Sequence, residues 1–97
     1  MQEETTESSH SFSLEVSNKM GIHARPAAMI VRIASSFPGE IWLTKKGGER
    51  VNAKSIMGIM MLAAARGSEL TFECSPSDAP ELEKQMTELF SAKFQDE

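Results

Sequence analysis

The chain has 97 residues, 14 acidic against 10 basic side chains, a net charge of −4 and one cysteine. That length supports a single domain with a modest core, and the lone Cys74 excludes an internal disulfide framework and fits a reducing cytoplasm. No apolar run approaches a membrane span, and both histidines stand apart from Cys and carboxylate clusters, so neither membrane insertion nor a metal or cofactor site is expected.

Residues 1–10 are polar and acidic, without the basic and apolar regions of a secretory signal. They read as a disordered tail ahead of a domain over residues 11–97. From Ser11 to Val16 the side chains alternate, with Phe12, Leu14 and Val16 on one face, which predicts a half-buried strand. A loop, Ser17 to Gly21, then leads to His23. Ala27 to about Ser35 predicts a helix with Pro26 in its first turn, ending ahead of Phe37-Pro38-Gly39. Ala27, Ile30, Ile33 and Ala34 are spaced to face the core, while Arg25, Ala28, Arg32 and Ser35 share another face.

Glu40–Thr44 and Glu49–Asn52 predict a hairpin turned by Lys45-Lys46-Gly47-Gly48. Next comes a short helix from Ile56 to Leu62 with Ser55 as its N-cap. Its apolar residues run nearly all the way round, so some of Ile56, Met57, Met60 and Met61 must stay exposed or bury against a partner. A fourth strand is predicted at Glu69–Cys74. Asp78-Ala79-Pro80-Glu81 then reads as a capping box opening a last helix, with Leu82, Met86, Leu89, Phe90 and Phe94 in an apolar stripe. The order β-α-β-β-α-β-α predicts an α+β domain, an antiparallel sheet with its helices on one face.

Charge is distributed unevenly along this order. Residues 16–68 carry eight bases against Glu40 and Glu49, whereas residues 69–97 carry eight acids against Lys84 and Lys93. No acid occurs between Val16 and Gly39, so His23 lies in a locally positive segment. It also stands just before a helix start, where unpaired amides and the helix dipole favour an anion. Arg25 adds a planar fork of donors matched to phosphate oxygens. Together these residues suit a site that carries phosphate on an imidazole. A nucleic-acid binder using the basic middle is the rival reading. The overall acidity and the lack of aromatic stacking platforms argue against it.

Two segments, Gly21-Ile22-His23-Ala24-Arg25-Pro26-Ala27 and Lys54-Ser55-Ile56-Met57-Gly58-Ile59-Met60, resemble the active-site and regulatory-serine motifs of the HPr phosphocarriers. Those proteins belong to the bacterial phosphoenolpyruvate-dependent sugar phosphotransferase system. The resemblance covers about residues 11–95 and implies an open-faced sandwich of four antiparallel strands with three helices on one side. It implies a phosphorylated His23, Arg25 as its phosphate partner and the Ala24 backbone amide as a further donor. Ser55 would be the site of HPr kinase/phosphorylase. Enzyme I would supply the phosphoryl group and a sugar-specific enzyme IIA would receive it, in the cytoplasm, with the chain a monomeric carrier rather than an enzyme. Ala28, Arg32, Ile56, Met57 and Met60 would form the partner surface. The alternatives within the resemblance are a regulatory HPr-like module and a nitrogen-branch module, both acting through protein–protein contacts. The hairpin turn is about one residue longer than in many members, and the acidic tail lies outside the pattern.

Overall fold

Alternation of apolar and polar side chains makes the first strand, β1 (His10–Glu15), which buries Phe12 and leaves Ser11, Ser13 and Glu15 outside. The structure, a computed structural model, describes residues 9–95. The strand starts at His10, one residue earlier than expected, so the expected tail of residues 1–10 loses its last residue to β1, and residues 1–8 lie outside the described residues. Helix α1 (Ala24–Ser35) follows, then strands β2 (Trp42–Lys45) and β3 (Arg50–Asn52), the short helix α2 (Ile56–Met61), strand β4 (Glu69–Cys74) and helix α3 (Ala79–Ser91). A 3-10 turn spans Lys93–Gln95.

The strands lie in the order β1-β4-β2-β3, every neighbouring pair antiparallel. The register sets Phe12, Phe72, Leu43 and Val51 in one row across the sheet. Helices cover that face, giving an α+β open-faced sandwich. From α1 come Pro26, Ala27, Ile30 and Ala34, and from α3 come Leu82, Met86 and Phe90. Ile33 and Leu89, expected in the core, are half-buried at its edge.

An aromatic chain ties the layers together. Phe72 stacks on Phe12 at 5.2 Å and meets the edge of Phe90 at 6.0 Å, and Phe90 contacts Phe94 at 4.8 Å. Phe72 is fully buried. Phe72→Ala is therefore expected to cost about 3–5 kcal/mol, a large share of a total near 5–15. Urea denaturation would check this through a lowered midpoint at unchanged slope.

Two helix starts differ from expectation. α1 begins at Ala24, so Arg25 sits inside its first turn and Pro26 is its third residue. Pro26 fits because an amide there would have no partner within the helix. At α3 the capping box does not form. Asp78 has helical angles and makes no side-chain cap bond, and its Oδ2 instead accepts from the Gly39 amide at 3.3 Å. Ser75 takes over the turn, its carbonyl accepting from the amides of Asp78 and Ala79, each at 3.1 Å. Buried Asp78 thus joins the α1–β2 loop to the start of α3. Phe94, expected on the α3 stripe, lies beyond that helix at φ 56° and still packs into the core.

Candidate functional site

Gly21 decides how the chain enters α1. Its φ is +72°, a region costly to any residue with a side chain, and a Cβ there would stand 2.7 Å from the Ala64 carbonyl oxygen. That close approach lets the Ile22 amide donate to the same oxygen at 2.9 Å, joining the loop to the segment after α2. Ile22 is buried, and His23 emerges half-exposed next to it.

His23 is the N-cap of α1, in extended conformation, with no side-chain cap hydrogen bond. Its carbonyl accepts from Ala27 at 3.0 Å and opens the helical ladder. The first turn carries no acid, and its amides, that of Ala24 among them, are not claimed by a capping side chain. This is the arrangement in which the helix dipole favours an anion beside the imidazole.

Arg25 is committed more widely than the sequence indicates. Its guanidinium donates to the carbonyls of Phe94 at 3.1 Å and Gln95 at 3.0 Å, and lies 3.6 Å from the Met29 sulfur. Lys93, Phe94 and Gln95 all have φ near +55°, a left-handed run that costs each residue roughly 1–2 kcal/mol. The run turns successive carbonyls toward Arg25.

Ser55 caps α2 as expected, its Oγ accepting from the Gly58 amide at 3.0 Å. The preceding Lys54 is half-buried and donates to the Phe37 carbonyl at 2.7 Å, fixing this corner to the end of α1. α2 packs beside α1 and buries Ile59. Its outer residues are left uncovered: Ile56 is 44% exposed, Met57 73%, Met60 39% and Met61 78%. Ala28 is half-buried and Arg32 exposed on α1.

Two residues near His23 escaped the sequence reading. Met20, 70% exposed, adds to the apolar surface. A single loop residue has no periodicity to mark it. Asn18, in the loop from Ser17 to Gly21, is fully buried and donates to the Gly21 carbonyl at 2.8 Å. Cys74 is buried, and that burial, with the charges of Asp78, Glu83 and Glu73, pushes its thiol pKa up, as for a packing residue rather than a nucleophile. No group of three or more His, Cys, Asp or Glu among the described residues is placed to hold a metal ion.

The family model for the PTS HPr component phosphorylation site matches residues 10–92. The phosphocarrier protein HPr of Neisseria meningitidis is 44% identical over 82 residues, 84% of this chain and 91% of that protein. The HPr-like protein Crh of Bacillus subtilis is 42% identical over 84 residues, 87% of this chain and 93% of that one. Among solved structures, HPr-C-His from Thermoanaerobacter tengcongensis superposes with a TM-score of 0.81 at 41% identity. It covers 91% of this chain and 98% of that one.

Proposed function

The chain belongs to the PTS HPr family, and from that membership we propose that His23 is the residue that takes up the phosphoryl group and hands it on. The protein is a phosphocarrier, not a catalyst with turnover of its own. What most supports His23 is its place at the N-cap of α1, half-exposed, with the first-turn amides left unclaimed by a capping side chain.

A carrier must hold phosphate without holding it too well. Neutral imidazole is nucleophilic, and a phosphoryl group on its nitrogen remains a reactive donor. The Ala24 amide and the positive charge of the Arg25 guanidinium offset the added charge, while exposure lets a partner's active site reach the group. The donor in this reading is enzyme I and the acceptor a sugar-specific enzyme IIA, both in the cytoplasm. Each docks an acidic surface on Arg25, Ala28 and Arg32 and an apolar one on Ile56, Met57 and Met60. Incubation with phosphoenolpyruvate and enzyme I tests the reading. Acid-labile phosphate on the chain supports it, and none would refute it.

A second reading, supported by Ser55 at the start of α2 beside the exposed Ile56 and Met57, gives weight to regulation through that serine. A phosphoryl group there, added by HPr kinase/phosphorylase, brings a charge of about −1.5 to −2. It would replace the capping hydroxyl at α2 and lie at the edge of the exposed methionines, where it repels an acidic partner. Ser55→Asp is expected to keep the melting temperature within a few degrees while raising the KM of enzyme I for this chain about tenfold. A transfer rate unchanged across protein concentrations, in the Ser55→Asp and the phosphorylated protein alike, would leave Ser55 a helix cap only.

A further inference from the structure

The half-exposed imidazole of His23 stands on a loop held from two sides. On one side the Ile22 amide donates to the Ala64 carbonyl at 2.9 Å, a backbone-to-backbone contact. On the other side stands one side chain, Asn18, whose relative exposure is 0%. Its Nδ2 donates to the Gly21 carbonyl at 2.8 Å. The same carbonyl accepts from the His23 amide at 3.1 Å, and the Gly21 amide donates back to the Asn18 carbonyl at 3.2 Å. The Gly21 carbonyl is thus gripped by two donors, one of them the backbone of the phosphoryl acceptor.

We infer that Asn18 is a positioning residue for phosphoryl transfer at His23, acting through the Gly21 carbonyl. The inference rests on His23 being the acceptor. Burying a primary amide is costly unless its bonds are made, and an apolar residue would fill a core position at less expense. What Asn18 provides is direction. With Gly21 at φ +72° the peptide between Gly21 and Ile22 needs a fixed orientation, and the Asn18 amide supplies it from beneath. The Ile22 amide of the same planar peptide keeps its bond to Ala64, so release of Asn18 removes one of the two anchors of that plane. The Gly21 carbonyl can then tilt, and the His23 amide that donates to it shifts with the imidazole. In-line phosphoryl transfer is sensitive to such shifts, about a hundredfold for a displacement near 1 Å. Asn18 is fully buried and offers no surface to a partner, so its loss is expected to alter the transfer step rather than docking.

The test compares the unaltered chain with Asn18→Ala and with the equally sized Asn18→Asp, which lacks the donor. Ile41→Val, in the buried core away from the loop, serves as the control for lost stability. Phosphoenolpyruvate and enzyme I are supplied and kcat and KM are separated. Both Asn18 variants are expected to lose about tenfold or more in kcat at unchanged KM, with the Ile41→Val chain close to normal. In the unaltered chain, the Asn18 side-chain amide protons should resist solvent exchange before and after phosphorylation of His23. This second measurement decides the matter if the variants do not fold. Normal kcat in both Asn18 variants, an equal loss in Ile41→Val, or exchange protection that disappears on phosphorylation would overturn the inference while leaving His23 as acceptor. An unaltered chain that takes no phosphate on His23 would overturn the functional reading and this inference with it.

Discussion

His23→Ala is expected to abolish acid-labile phosphorylation while leaving the fold intact. Loss of an N-cap residue ordinarily costs about 1 kcal/mol because a side-chain bond to the helix is lost, but His23 makes no such bond. The urea midpoint of the Ala variant should therefore stay close to that of the unaltered chain. Arg25→Ala is the informative companion. It removes the bonds to Phe94 and Gln95, which tie α1 to the end of the described chain, so a loss of about 1 kcal/mol is expected. Transfer should fall but not vanish, because the first-turn amides remain. If the His23→Ala chain still accepted and passed on the phosphoryl group at the normal rate, the site would have to lie elsewhere.

Met57→Glu is expected to weaken partner binding by tenfold or more with little change in stability. Met57 is 73% exposed, and changes at such positions usually stay within about 0.5 kcal/mol. A carboxylate in its place would put a negative charge in the middle of the apolar face, where docking would strip it of water against the partner's apolar surface. Ile59→Glu, two residues further on but buried on the inner side of the same helix, should instead unfold the domain. Titration of enzyme I with each variant, beside a thermal melt, separates docking from packing. A Met57→Glu chain that melts early and binds normally in its folded fraction would place the methionine in the core and remove the docking face.

Much of this site is legible in the sequence because its causes are local. Gly21 and Pro26 mark the turn and the helix start around His23. Ser55 caps α2 through a neighbour three residues on. A six-residue helix written Ile-Met-Gly-Ile-Met-Met cannot bury all its apolar side chains on one face, and the exposed ones follow. What is not legible depends on distant or backbone partners. The Arg25 acceptors are carbonyls 69 and 70 positions away, and a backbone acceptor leaves no mark on side-chain pattern. At Asp78 the Asp-x-x-Glu pattern is present, but the Gly39 amide, 39 residues earlier, takes the carboxylate that the pattern assigns to the helix. Asn18 is one polar residue of a loop in the sequence, and only the closed fold shows it buried.

Locating the phosphoryl group tests the central claim most directly. The intact chain is phosphorylated with phosphoenolpyruvate and enzyme I, digested at neutral to mildly alkaline pH, and its phosphopeptides are sequenced. The chain offers two histidines, His10 on β1 and His23 at the start of α1, so the peptides distinguish them. Acid-labile phosphate confined to the peptide holding His23 is the expected result. Phosphate on His10, or none on either histidine, would contradict it.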